Sequence, residues 1–349
     1  MAVPDFFGIN LGHYSIKIFE VKPTGNKARL VSMGSTPTNN ANLDADSEQG
    51  IELMANEIAK AAKASGVKTN NCVLSVPETA VFSRLLTLPK VKDEEIEQTI
   101  HWALKPLVPI PLEDVNVSYL QIDEKVLEGN TFVNWYVVAA PKQLITKYVQ
   151  VMEKAKLNLL AVETEALALT RMIQYNYAAD IKKDVMILDL GAESTNVVLA
   201  RNGVVIFSQS ISTGSNALTK VIAADFGLDM VQAEKYKLSF GMDFSQGEGK
   251  IAKSMEPILQ ILLGEINRTL AYYKEKIGGE NISSIFLTGG GSNLIKFDEY
   301  LTQKLGTQAL VADPIKNVDM DNKKREELAH TNIRSFNVAI GLALKGTLE

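Results

Sequence analysis

One cysteine, Cys72, stands in the whole 349-residue chain, so neither an intrachain disulfide nor a cysteine-built zinc site can form. Histidine is almost as scarce, and His13, His101 and His330 lie too far apart in sequence for a short metal motif. No run approaches the roughly 18 continuous apolar residues of a membrane span. The opening MAVPDFFGIN lacks the basic segment and apolar core of a signal peptide. Basic residues are outnumbered, 36 Lys+Arg against 41 Asp+Glu for a net charge of −5. No basic block offsets that deficit, which argues against a nucleic-acid clamp. What is present is the ordinary globular balance, 46% hydrophobic and 22% charged. At roughly 150 residues per domain the length corresponds to about two domains. These features together predict a soluble, cytoplasmic chain.

The chain also resembles itself. Residues 7–18 read FGINLGHYSIKI and residues 186–198 read MILDLGAESTNVV, so that Asn10, Leu11, Gly12 and Ser15 align with Asp189, Leu190, Gly191 and Ser194 at an offset of 179. Each copy is an apolar strand, a polar or acidic residue, Leu-Gly, a short turn and a second apolar strand. Repetition at half the chain length predicts two similar halves rather than a solenoid. Such a hairpin suits phosphate, because glycine admits close backbone approach and successive turn amides make an anion-binding concavity. Hydroxyls at Ser15, Ser194 and Thr195 add donors, and a strand-end carboxylate suits a hydrated Mg²⁺.

A third glycine cluster lies in IFLTGGGSNLIKFDEYLTQKLG, residues 285–306. It reads as a strand, a tight turn at Gly289–Gly291 and an amphipathic helix from Asn293 with Leu294, Phe297, Leu301 and Leu305 on one face, stopped by Gly306. Leu294 occupies the last glycine position of a dinucleotide fingerprint, so the segment is not one. Gly249-Lys250 is no P-loop either, having Phe244 and Ile251 where a glycine and a Ser or Thr should stand.

Hairpin, hairpin and strand–GGG–helix, in this order, resemble the phosphate and adenosine motifs of the actin, sugar kinase and chaperone ATPase superfamily. The segments FSRLLTLPKVKDEEIEQTIHWALKPLVPIPLEDVNVSY, VVAAPKQLITKYVQVMEKAKLNLLAVETEALALTR and SISTGSNALTKVIAADFGLDMVQAEKYK are more specific and resemble the type IV pilus assembly PilM family nearly end to end. The resemblance implies an α/β, actin-like fold, ribonuclease H-like and duplicated into two halves, with an inserted subdomain of the FtsA/PilM type. Residues 1–85, 156–183 and 332–349 would build the first half, 86–155 the insertion, and 184–331 the second half. A helix from Ile51 to about Ala64 would bury Ile51, Met54, Ile58 and Ala61 or Ala62. Asp93 would cap a helix in the insertion ended by Pro106, Pro109 and Pro111. The polar stretch 36–48 reads as a loop, Gly241–Gly249 as a mobile loop, and Asn332–Lys345 as a closing helix.

The same resemblance implies ATP and Mg²⁺ as ligands. Gly12, Ser15 and Lys17 match positions beside the phosphates; Lys17 is equally readable as an outward strand lysine. Asn10 stands where the superfamily carries an acid, so binding should survive and hydrolysis should be slow, at most that of a slow ATPase; a strand-end asparagine satisfying turn amides is the alternative. In the second hairpin, Gly191, Ser194, Thr195 and Asn196 accompany Asp189, which is the candidate for positioning metal-bound water. Gly214 would join them from a third loop. Glu234 and Lys237 would flank ribose and base, unless they form a solvated helical ion pair. Gly289, Gly290, Gly291 and Asn293 would cover the adenine. Glu165 is a candidate to orient attacking water, or an acid complementing a helix dipole. Cys72 reads as a small buried apolar residue.

For function, the resemblance implies a scaffold of the type IV pilus inner-membrane platform that recruits the cytoplasmic N-terminal peptide of PilN, with other platform proteins and copies of itself as further partners. It would reach the membrane only through partners, as a peripheral protein on its inner face. An FtsA-like division protein would carry an amphipathic membrane helix after the closing helix, where this sequence ends at Leu348-Glu349. The cytoplasmic part of a type II secretion platform protein would continue into a transmembrane helix. A small-molecule kinase would need a general base over the γ-phosphate, and the middle segments offer none.

Overall fold

A computed structural model of the chain describes residues 4–25, 27–38, 47–329 and 331–347. Most of the polar stretch 36–48, His330 and Leu348-Glu349 lie outside the described residues. The chain opens with β1 (Phe7–Leu11), β2 (Ser15–Thr24) and β3 (Lys27–Pro37), then α1 (Glu48–Ser65) and β4 (Asn71–Val76). A 3₁₀ turn at Glu78–Ala80 leads into β5 (Phe82–Pro89), α2 (Asp93–Leu104), β6 (Val115–Leu127), β7 (Asn130–Pro141) and α3 (Lys142–Lys154). Then come β8 (Asn158–Thr164), α4 (Glu165–Tyr177), β9 (Val185–Leu190), β10 (Thr195–Arg201), β11 (Val204–Ile211), α5 (Ser215–Phe226), α6 (Met230–Phe240) and α7 (Lys250–Tyr272). The last elements are β12 (Ser284–Thr288), α8 (Phe297–Leu305), β13 (Ala309–Val311), α9 (Asn322–Ala329) and α10 (Asn337–Ala343).

Two five-stranded sheets have the same plan. One runs β3-β2-β1-β4-β8 and the other β11-β10-β9-β12-β13, with the first three strands of each antiparallel and the rest parallel. Their central strands are covered on both faces and therefore read as continuous apolar runs, as in VMILDL of β9, all of it buried. Helices α4 and α10 are sandwiched between the sheets: one core joins Phe19 and Val73 of the first sheet, Leu169 and Ile340 of the two helices, and Ile187 and Val198 of the second. The outer face of the first sheet packs on α1 through Met54, Ile58 and Ala61, and on α3 through Val151 and Met152. That of the second packs on α5 and α7 through Ile222, Leu259 and Ile266. Strands β5-β7-β6 form a third, antiparallel sheet. With Ile100 and Leu104 of α2 they enclose a small core of their own around Trp135.

Two glycines fix where α10 lies. A Cβ on Gly8 of β1 would sit 2.3 Å from the Ala339 carbonyl oxygen, and one on Gly341 would sit 1.9 Å from that of Ala168 in α4. Only hydrogen at both positions lets the last helix seat against strand and helix at once, and this seating carries its first residue, Asn337, into the interior.

Three sequence expectations change. Asp93 is the first helical residue of α2, and Lys92, extended at φ −68° and ψ 152°, holds the cap position. No helix starts at Asn293: Gly290–Asn293 is a 3₁₀ turn, Leu294 is extended, and Lys296 at φ 57° sets the start of α8 at Phe297. The closing segment is a 3₁₀ turn, Ile333–Phe336, followed by the shorter α10. The stretch Gly241–Gly249 is hydrogen-bonded both within itself and to the segment before α8. Met242 N donates to Ile295 O at 2.7 Å, and the Asp243 carboxylate gathers Ser245, Gln246 and Lys296, which hold it well below the usual range. Cys72 is fully buried as expected, and burial pushes its thiol up to about 12.

Candidate functional site

The two hairpins repeat at atomic detail. Gly12 N donates to Ser15 O at 3.1 Å in the first, and Gly191 N to Ser194 O at 2.9 Å in the second. Register puts Asn10 opposite Lys17, and Asp189 opposite Asn196. Cross-strand partners share a sheet face, so each hairpin presents a pair of polar side chains at the same place.

These pairs converge on Glu165, the first residue of α4. Asn10 Nδ2 donates to its Oε1 at 3.2 Å, and Asn196 Nδ2 to its Oε2 at 2.7 Å. Glu165 thus takes one amide from each half. Its carboxyl is enclosed although the residue keeps some exposed surface, and burial, then the charges of Asp189 and Glu78, push it up to about 8. Asp189 is buried, accepts from Asn337 Nδ2 at 2.6 Å, and is pushed up to about 6 by burial. Lys17 does not point outward: its Nζ donates to Ser15 Oγ at 2.8 Å and feels the charges of both Asp189 and Glu165, while burial lowers its pKa. Asn10 satisfies no turn amide here; besides Glu165 it donates to Ser75 Oγ at 2.9 Å.

The remaining predicted residues surround this centre in more committed roles. Thr195 gives its hydroxyl proton to Thr213 O at 2.7 Å. A Cβ on Gly214 would lie 2.4 Å from Ala192 O, and the α5 amides of Ser215 and Asn216 go to Gly191 O and Ala192 O. The N-terminus of α5 therefore spends these donors on the second hairpin turn. Glu234 and Lys237 are an ion pair at 2.7 Å, but not a solvated one: Lys237 is buried, with Nζ also on Ser215 Oγ at 2.6 Å and Thr219 Oγ1 at 2.8 Å. Gly289, at φ 83°, lies against Asp189 and Leu190, and Gly291 against Leu190, so packing demands both glycines. The Cβ position of Gly290 meets only side-chain atoms, the nearest being Asn332 Nδ2 at 3.3 Å. Asn293 bonds Asn332 and Arg334.

Five contributors escaped sequence reading. Ser75 in CVLSV and Asn337 in NVAIGLA are single polar residues in apolar segments, and that contrast was the available signal. Tyr14 and Glu193 occupy equivalent places in the two turns, 179 residues apart, and hydrogen-bond directly across the cleft. Asn216 Nδ2 joins both, at 2.9 Å to the Tyr14 hydroxyl and 2.8 Å to Glu193 Oε1.

Chemically, one ammonium, two carboxylates and several amides face one another between two glycine turns. A polyphosphate alone would meet repulsion from Asp189; a magnesium-bound one would not. The described residues hold no cluster of three or more His, Cys, Asp or Glu able to grip a metal ion. Magnesium accompanying phosphate needs only one or two carboxylates and water, so the donor set fits.

A family model described as type IV pilus assembly protein PilM matches residues 8–347. The chain belongs to the PilM family. A solved structure described as the PilM-PilN type IV pilus biogenesis complex is 25% identical to this PilM-family chain, covers 99% of both chains, and superposes with a TM-score of 0.82. The cell division protein FtsA of Staphylococcus epidermidis is 20% identical over 353 aligned residues, 88% of this chain and 74% of that protein. MreB5 of Spiroplasma citri, solved with ADP bound, is 12% identical, with 98% and 96% coverage and a TM-score of 0.55, and shares the fold. The fold is accordingly actin-like. Among the described residues no helix is long and apolar enough to cross a membrane.

Proposed function

We propose that this chain is a cytoplasmic, ATP-binding scaffold of the type IV pilus inner-membrane platform, peripheral at the inner face of the cytoplasmic membrane. It recruits the cytoplasmic N-terminal peptide of PilN, in keeping with the PilM-PilN complex of its structural relative. The observation that carries the nucleotide reading is that the two glycine hairpins meet on Glu165, through Asn10 and Asn196, with the Lys17 ammonium turned inward onto Ser15 beside them. Ser15 and Lys17 hold phosphate, Asp189 positions magnesium-bound water, and Gly290 and Asn293 border the base. The first sheet with α1 and α3 forms one half of the cleft and the second sheet with α5 and α7 the other, and the β5-β7-β6 sheet with α2 is the partner-binding insertion. Turnover is slow. The first hairpin offers Asn10 in place of an acid, and the burial that pushes Glu165 to about 8 leaves it protonated at neutral pH, unable to serve as a base. Titration calorimetry with Mg²⁺-ATP and with a synthetic PilN N-terminal peptide tests both halves of the reading. Saturable heat is expected from each, with phosphate release far slower than binding; rapid hydrolysis by the protein alone would count against a scaffold.

A further inference from the structure

Glu78 lies in the 3₁₀ turn where the chain leaves the first sheet for the three-stranded one, and it is buried. Its Oε1 accepts from Ala166 N at 2.8 Å, one residue after Glu165. Its Oε2 accepts from Ser208 Oγ at 2.7 Å, in β11 of the second sheet. Ser208 Oγ also meets Tyr136 OH of β7 at 3.0 Å and Ser83 Oγ of β5 at 2.9 Å. A serine hydroxyl has one proton and two lone pairs. With the proton given to Glu78, Tyr136 and Ser83 are the donors, and Ser208 is saturated. The order is then fixed from the three-stranded sheet through Ser208 to Glu78, and from Glu78 to the peptide group beside the cleft carboxylate.

The second sheet, the three-stranded sheet and the N-terminus of α4 meet in this cluster. A shift of the α4 N-terminus relative to β11 cannot leave it untouched, because an unpaired buried hydroxyl or carboxylate is costly and the group re-pairs as a unit. Packed polar clusters of this kind have discrete arrangements rather than a continuum.

We propose that Glu78 is a positioning residue that couples the nucleotide cleft to the inserted sheet, through Ala166 on one side and Ser208, Tyr136 and Ser83 on the other. The proposal rests on the nucleotide reading of the cleft. Loading the cleft resets the pairing at Ser208 and tightens β5 and β7. By linkage, a ligand that holds the insertion changes nucleotide affinity by the same factor.

Hydrogen exchange of the full chain, with and without Mg²⁺-AMPPNP, tests it. In the wild type, amides at 165–168 and those of β5 and β7 should slow at least threefold on nucleotide addition. Ser208→Ala and Tyr136→Phe should keep the cleft response and a nucleotide Kd within threefold of wild type, yet lose the response of β5 and β7. Tyr136→Phe removes only a hydroxyl and carries the test if Ser208→Ala does not fold. An unchanged β5 and β7 response in a folded variant overturns the coupling, as does wild-type protein that binds nucleotide with no response there. Wild-type protein showing neither heat nor cleft protection removes the nucleotide reading, and the coupling with it.

Discussion

The two hairpins share a backbone and differ in charge. At the paired positions the first offers an amide and an ammonium, Asn10 and Lys17, and the second a carboxylate and an amide, Asp189 and Asn196. Duplication kept the glycine turn, with Gly12 and Gly191 making the same hydrogen bond, while the side chains beside it diverged. One half is thereby suited to phosphate and the other to the cation that accompanies it. Glu165 takes an amide from each and belongs to neither.

The largest expected effect comes from removing the titrating carboxyl on which the two hairpins converge. The Glu165 carboxyl stands near 8 in the folded chain against 4.5 for an ordinary glutamate. A carboxyl raised on folding contributes stability that is full below its unfolded pKa and is lost as pH rises through its folded one. Wild-type, ligand-free protein should therefore lose stability between about pH 4.5 and pH 8, and Asp189, raised to about 6 from 3.8, adds a loss of the same sign at lower pH. Glu165→Gln cannot ionise. It should lie within about 1 kcal/mol of wild type at pH 5 and exceed it by about 5 kcal/mol at pH 9. Urea denaturation at pH 5, 7 and 9 measures this, and parallel pH curves for the two proteins would mean that the carboxyl is not held neutral.

A smaller effect separates the hairpins themselves. Asp189→Ala should weaken Mg²⁺-ATP binding about a hundredfold, and Lys17→Ala about tenfold, in the range of a lost hydrogen bond to a charged group. The order follows because Asp189 is the proposed magnesium-side residue and also anchors Asn337 of α10, whereas loss of Lys17 leaves Ser15 as a second proposed phosphate donor. Calorimetry giving both variants the affinity of wild type would refute the division of labour.

How much of this could be read from the chain follows the distance over which each feature is specified. The glycine turns, the doubled plan and the buried face of α1 are local patterns, and all were legible. The Glu165 network was not, because its bonds join residues 155 and 31 positions apart, and Asn337 reaches Asp189 across 148. No periodicity encodes which asparagine meets which carboxylate. The displaced start of α8 has a different cause: Leu294 fits a helical face by spacing, yet its extended backbone and the left-handed Lys296 belong to a junction with Met242 of a distant loop. The ion pair Glu234–Lys237 had the right spacing, but Ser215 and Thr219 bury its ammonium while Glu234 stays half-exposed.

The smallest expected effect tests whether the two turns touch as well as resemble each other. Tyr14 is more than half exposed, so its hydroxyl bond to Glu193 competes with water and is worth little to stability, within about 0.5 kcal/mol. Tyr14→Phe leaves Asn216 bonded to Glu193 inside the second half and removes only the strand of the clasp that crosses the cleft. Its melting temperature should stay at the wild-type value. A ligand leaving between the two turns has to part that clasp, so release of a fluorescent ATP analogue should quicken by about twofold, in line with a bond of that strength. Stopped-flow displacement reads the rate directly, and an unchanged release rate would mean that nucleotide exit does not pass between Tyr14 and Glu193.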